Sequence, residues 1–579
     1  MPNSDHTHFQ TRNHIPNSAL SETTLGNIAN WIRDCDTTHS SCLKFPQTLP
    51  TRVIDLGPST NQTTIEEPYP RLYNTHDHDY SQTSRYISLS YCWGQGVSMK
   101  TLTSNLASFH NAIPFNDLPR TFQDALNISK RLEVRYVWID ALCIVQDDQK
   151  DWNKEASSMA SIYEHSAFTI CVMNGMSSDS GFLSERPQYH SIPSMQGFFM
   201  RPASGLMDAH KFGSRRLYVS GDEPEAILLS RAWTFQEQLL SPRLLNFFDS
   251  EVIWSCNTST ICECGNPWNL KSGSGEPSSL KYEYGRVQNE NLTETNKTTS
   301  IPTMINPDWR LWQKIVEQYS PRIVSFQKDR LWALSGIAQT FSGRLGSYYA
   351  GLWSDSILEG LEWERLEDCF DPKPSHRLNL SIPSWSWASV DQNLVWWARH
   401  SWNLEPIWTA EVRDIKTFSV SEDPFGETSG GYISLRSKCF KFIRRGNELE
   451  PAERIDYELP GLYRFNKDVT DSGIASSINP QEVLGCIVRC AEILNAKSDN
   501  DRDFIITILV LEKVEQSNAQ AFAQEHHWPF SMNTDMAQSC YRRLGFTETN
   551  SPTGYPCGGV ELTYFHNVLQ WDIIDITII

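Results

Sequence analysis

A chain of 579 residues is too long for one ordinary core, so two to four domains or subdomains are expected. The apolar and charged fractions, 39% and 21%, are those of a soluble globular protein. The net charge of −19, with no block of lysine and arginine to offset it, excludes a phosphate-backbone binder. No run approaches the roughly 18 continuous apolar residues of a spanning helix, and the polar first ten residues lack the apolar core of a signal peptide. The 14 cysteines are irregularly scattered, which suits reduced thiols better than a disulfide framework. These features predict a cytoplasmic protein with no membrane span and no nucleic-acid partner.

In chain order, residues 1–20 read as a disordered tail. Ile28, Trp31 and Ile32 at helical spacing predict a short helix over Leu25–Cys35. Cys35, His39 and Cys42 follow in a Cys-x3-His-x2-Cys pattern. Those are zinc ligand types, but a closed site needs a fourth ligand and none lies nearby in the chain, so ordinary packing of small thiols is preferred. Leu49–Gly57 reads as a strand, and 58–83 as a polar loop. Tyr86, Ile87, Leu89 and Tyr91 are β-formers, and Gly94 and Gly96 mark the end of that strand. Ser90, Tyr91, Cys92, Trp93 and Gly94 are thus predicted at or just past a strand's carboxyl end, the rim where open α/β sheets bind ligands.

Pro119 opens a helix with Phe122, Ala125, Leu126, Ser129 and Leu132 on one face, and Val134–Asp140 reads as the next strand. The β-α-β order predicts parallel pairing, which brings Asp140 to the same rim. Asp147, Asp148 and Asp151 suit the start of a following helix. Its apolar stripe is Trp152, Ala156, Met159 and Tyr163. Glu155 falls on that stripe, between Ile162 and Met159, and a carboxylate on a core-facing stripe is a local inconsistency. Ala167–Val172 is a further strand and 176–227 a looser region. Arg231–Arg243 is read as a helix stopped near Pro242, with Trp233, Gln236, Glu237 and Leu240 on one face, and Glu251–Cys256 as a strand. Residues 257–305 read as a loop or insertion. Cys262 and Cys264 lie in it and could join Cys256 on a metal, though a plain surface loop is preferred. Two helices, Trp309–Tyr319 and Asp329–Gly336, and a Trp385/Trp387 motif precede a β-rich portion from 402 to 579.

Tyr86–Gly94, Leu118–Phe122, Tyr136–Asp148, the Trp152/Glu155/Met159/Tyr163 helix and Arg231–Glu237, in that order, resemble the heterokaryon incompatibility (HET) domain of filamentous fungi. Flanking motifs extend the resemblance over roughly 25–400. It implies allorecognition: a cell-death response when genetically different hyphae fuse. The HET domain is also remotely similar to TIR domains, some of which hydrolyse NAD with one glutamate on a helix, and Trp152-x2-Glu155 matches the tryptophan and glutamate of that pattern.

The expected fold is α/β: a mostly parallel, flavodoxin/TIR-like sheet flanked by helices, then a helical segment and a β-rich C-terminal region. The expected organisation is a tail and short helix over 1–48, the HET domain over 49–256 and the insertion over 257–305. A helical, Trp-rich extension packing on the HET domain (306–401) and the β-rich region complete it. Glu155 is the candidate catalytic carboxylate, with Glu237 as the alternative; Arg120 or Arg135 are candidate ion-pair partners of Glu155, and Arg231 or Arg243 of Glu237. Ser90, Tyr91, Cys92, Trp93, Gly94 and Asp140 are candidate ligand-binding residues. NAD is a candidate substrate, with no resident cofactor. The alternative is a non-enzymatic module that assembles with itself or with other incompatibility proteins.

Overall fold

The computed structural model describes residues 13, 15–42, 49–58, 70–75, 85–186, 190–191, 199–200, 226–264, 267–268, 280–289, 306–365, 381–390, 394–395, 407–420, 423–445, 448–451, 463–464, 466–467, 481–494, 502–514, 517, 520, 540–550 and 572–579. The expectations for 1–12 and for most of the 58–83 loop and the 176–227 region lie outside these residues. The chain divides into two compact units, Met1–Asn291 and Leu292–Ile579.

The first unit is built on strands β1 (Arg52–Asp55), β2 (Arg71–Asn74), β3 (Tyr86–Ser90), β4 (Tyr136–Trp138) and β5 (Thr169–Val172). After a separate two-stranded pair, β6 (His190–Ser191) and β7 (Phe199–Met200), come β8 (Arg243–Phe247), β9 (Val252–Cys256), β10 (Thr260–Cys262) and β11 (Pro267–Trp268). Apart from β6 and β7, these strands form one nine-stranded sheet in the order β11-β10-β9-β8-β5-β3-β4-β1-β2.

The sheet is mixed rather than mostly parallel. Only β3–β4, β3–β5 and β5–β8 pair in parallel. The outer pairings are antiparallel. On the β8–β11 side the cause is connection length: these strands follow one another through short turns and must return antiparallel, whereas the parallel central strands are joined by crossovers of a dozen or more residues.

The four parallel strands, numbered among themselves in chain order, lie 2-1-3-4. The order reverses between β3 and β5, so the carboxyl end of β3 sits at a switch point. All five residues of β3 are buried, as a central strand covered on both faces requires.

Four helices deliver side chains to that end. Helix α3 (Arg120–Arg131) follows α1 (Glu22–Thr38) and α2 (Leu106–Asn111), and it starts directly after Pro119. A four-residue α4 (Asp140–Cys143) begins where β4 ends. Helix α5 (Gln149–Glu164) is capped by the Asp148 carboxylate, which accepts from the amides of Lys150 and Asp151. It buries Glu155, Met159, Ile162 and Tyr163, leaving Trp152 and Ala156 half-buried. Helix α6 (Ala232–Leu240) ends just before Pro242, packs on α5, β3 and β5, and is buried on nearly every side. The 257–305 stretch carries β10, β11 and α7 (Leu280–Asn289), whose Leu280, Tyr284 and Val287 form a buried stripe. Among the described residues, no helix is long and apolar enough to cross a membrane.

The second unit opens with α8 (Pro307–Tyr319) and α9 (Asp329–Thr340). These pack with Trp312, Trp353, Tyr348 and Phe341 in an edge-to-face aromatic cluster. Apart from two short pairs, 348–349 with 352–353 and 364–365 with 394–395, its described strands form a ten-stranded sheet. The strands 428–445, 481–494, 502–513, 540–550 and 572–578 pair successively, and the last returns to the first, which closes them into a ring. The C-terminal region is therefore β-rich.

Candidate functional site

At the end of β3 the chain leaves the sheet and exposes a polar sequence to the rim. Tyr91 Oη donates to Asp140 Oδ1 at 2.9 Å, and Trp93 Nε1 donates to Asp140 Oδ2 at 2.8 Å. The Ala141 amide also donates to Oδ1, at 2.7 Å. Parallel pairing of β3 and β4 brings these residues together, because it ends both strands on the same side. Burial raises the Asp140 carboxyl above its ordinary range, and the donors from Trp93 and Tyr91 oppose that rise. The Tyr91 ring packs edge-on against Phe122 at 5.1 Å. The Trp93 indole is half-buried, with one side at the protein surface.

Gly94 makes the turn that follows, with φ +69°. A Cβ there would lie 2.6 Å from Ser177 Cβ, so only glycine fits. Cys92 points the other way, into an apolar cluster with Cys171, Met173, Leu228 and Leu244. Its thiol is pushed up by burial, which makes it a packing residue rather than a nucleophile.

Helix α6 brings Glu237 to this cluster. Glu237 is buried, and desolvation pushes its carboxyl up to about 7. The nearby Ser90, Arg231 and Tyr163 oppose that rise, and repulsion from Asp140 adds to it. Arg231, just before α6, donates from Nη1 to the Tyr91 carbonyl at 3.3 Å. Tyr163 Oη donates to the Leu89 carbonyl at 3.2 Å, which ties α5 to β3. Ser90, Tyr91, Trp93, Asp140, Tyr163, Arg231 and Glu237 thus gather around the end of β3.

Glu155 is placed differently. It is buried on α5, and its nearest cation is Arg52, with Nη2 at 3.9 Å from Oε1. Arg52 also pairs with Asp151 and donates from Nε to the Cys143 carbonyl at 2.7 Å. Burial raises the Glu155 carboxyl, and Thr51 and Arg52 oppose it. Because β1 runs antiparallel to β4, the start of β1 lies on the same rim. Glu155 therefore belongs to an ion-pair group beside β1, whereas Glu237 joins the Ser90–Asp140 group. The candidate partners are engaged elsewhere, Arg120 with Asp124 and Arg135 with Asp55.

Sequence reasoning took Arg231 and Arg243 as possible ion-pair partners of Glu237 and assigned no role to Arg52 or to the Tyr163 hydroxyl. Arg231 carried the clearest signal, a cation just ahead of the helix bearing Glu237. A carboxyl ionising near neutrality beside a second buried carboxyl and a guanidinium is suited to proton transfer or to stabilising a cation. Cys35, His39 and Cys42 lie apart from this rim, at the end of α1, and Cys256 turns towards them. Cys262 and Cys264 are joined to each other in a disulfide.

Residues 86–237 match the family model described as heterokaryon incompatibility protein (HET). The match begins at the first residue of β3 and ends at Glu237, so the whole rim cluster falls within it, while Arg52 does not. No curated protein and no solved structure matches the chain.

Proposed function

Because residues 86–237 form a heterokaryon incompatibility domain, we propose that this chain acts in heterokaryon incompatibility and that the rim cluster cleaves the N-glycosidic bond of NAD. Glu237 rather than Glu155 is the catalytic carboxylate in this reading. The observation that carries it is a buried glutamate whose carboxyl ionises at about 7, held at the carboxyl end of the switch-point strand among Ser90, Tyr163, Arg231 and Asp140. The 2-1-3-4 order of the parallel strands supports a flavodoxin-like, TIR-like core.

In the proposed reaction the bond between the ribose C1 and the pyridinium nitrogen breaks, and its electron pair leaves with nicotinamide. Positive charge remains on the ribose, and an ionised Glu237 stabilises it. Water then bonds to C1 and gives up its proton, leaving ADP-ribose. Asp140 fixes Tyr91 and the Trp93 indole, which offers a flat apolar surface to an aromatic ring.

The test is nicotinamide release from NAD by the purified full-length protein, followed across its oligomeric states. Wild type and Glu155→Gln are expected to be active, and Glu237→Gln to lose about 100-fold or more. The wild-type rate should rise through about pH 7 as Glu237 ionises. Activity that survives Glu237→Gln but is lost in Glu155→Gln would return the role to Glu155.

A second reading, a module that kills by assembling with itself or with other incompatibility proteins, is favoured by the burial of Glu237 and the Arg52 pairing of Glu155. Absence of nicotinamide release in every oligomeric state, from a protein that still kills on overexpression, would select it.

A further inference from the structure

Three segments far apart in the chain meet at the end of β9. Cys35 lies in the last turn of α1, and His39 and Cys42 follow in the turn after it. Cys256 closes β9. One ligand atom from each of the four lies within 4.8 Å of all the others. His39 Nδ1 stands 3.4 Å from Cys256 Sγ. In a tetrahedral zinc site with Zn–S near 2.3 Å and Zn–N near 2.0 Å, the S···N edge is about 3.5 Å and the S···S edge about 3.8 Å. Both lie inside the observed spread. The fourth ligand missing from the Cys-x3-His-x2-Cys pattern is thus supplied across a separation of 217 residues from His39.

The surroundings favour thiolates over packed neutral thiols. The amides of Thr258 and Ser259 donate to Cys256 Sγ at 3.4 and 3.3 Å. Arg243 Nε donates to Cys35 Sγ at 3.2 Å. A guanidinium and two amides aimed at sulfur are the outer-shell donors that orient metal-bound cysteines. Three thiolates and one Zn2+ carry a net charge of −1, and Arg243 stands against it. None of the three cysteines is in a disulfide. Pairing any two would leave the third thiol and the imidazole without a role, whereas a metal uses all four.

We propose that Cys35, His39, Cys42 and Cys256 bind one structural zinc ion that fastens the end of α1 to the end of β9. Four protein ligands close the coordination sphere, so the ion holds the fold and takes no substrate. Cysteines that are protonated beforehand release their protons on binding. The site shares no residue with the rim cluster, and its test is independent of NAD chemistry.

The full-length protein, purified without chelator, should contain about one zinc per chain by elemental analysis. Cobalt exchanged into the site should give the visible bands of a tetrahedral ion and thiolate charge transfer. Cys42→Ser and Cys256→Ser should lose the metal, and Cys540→Ser should keep it. His39→Cys should also keep it, because four cysteines bind zinc equally well; this variant separates ligation from fold disruption. Folded wild-type protein that neither contains zinc nor binds added Zn2+ or Co2+ overturns the proposal. So does full metal content in folded Cys42→Ser and Cys256→Ser proteins.

Discussion

Glu237 is the residue whose environment departs furthest from that of a surface carboxylate. Its carboxyl ionises at about 7 in the folded protein, against an ordinary 4.5. The folded state therefore holds the proton more tightly than the unfolded chain. The resulting stabilisation is fully present below about pH 4.5 and is lost as the pH rises through about 7. Glu237→Gln is fixed in the neutral form and escapes that loss. Its stability by urea unfolding should match wild type near pH 4 and exceed it by up to about 3 kcal/mol near pH 8. A constant difference across that range would show that Glu237 does not titrate as described. The anomaly of Glu155 was legible in the sequence, since helical period alone places it on the buried stripe of α5. The partner was not legible. Arg52 reaches Glu155 only because β1 pairs with β4, a non-local event that helical spacing cannot announce.

Among the elements, the helices follow local rules. Pro119 opens α3, Asp148 caps α5 and Pro242 follows α6. From β8 to β11 strand direction follows connection length, because short turns force each strand to return antiparallel. The hairpin of Tyr348–Tyr349 and Leu352–Trp353 turns at Gly351, and there the constraint comes from packing. The Gly351 carbonyl accepts from Trp312 Nε1 at 3.1 Å and from Trp387 Nε1 at 2.9 Å. Its φ is +99°, and an added Cβ would lie 2.4 Å from Trp387 Nε1. Gly351→Ala should therefore cost at least about 2 kcal/mol by chemical denaturation, through both backbone strain and the displaced indole. A loss under about 0.5 kcal/mol would mean that the turn relaxes freely. The Trp385 and Trp387 motif was visible in sequence as aromatic density, but its acceptor, a backbone carbonyl in another segment, was not.

For the molecule as a whole, two compact units of similar size each carry a sheet and a core of their own. Calorimetry of the full chain should depart from a single two-state transition, and Glu237→Gln near pH 8 should move one component and leave the other in place. A single transition with equal calorimetric and van't Hoff enthalpies would instead mean that the units unfold together.

By itself the sequence determined the likeness of 86–237 to the heterokaryon incompatibility family, the order of elements around the rim, the placement of Ser90–Trp93 and Asp140 at strand ends, and a β-rich C-terminal portion. All of these rest on short-range periodicity and on motifs read within one stretch of chain. Tertiary structure alone decided which glutamate lies beside Asp140 and Arg231 and which beside Arg52, because α6 and α5 both bury a carboxylate and only packing tells them apart. It alone supplied Cys256 to Cys35, His39 and Cys42. Ion pairs and ligand sets are closed by side chains that sheet pairing brings within a few ångströms, and neither composition nor spacing encodes that distance.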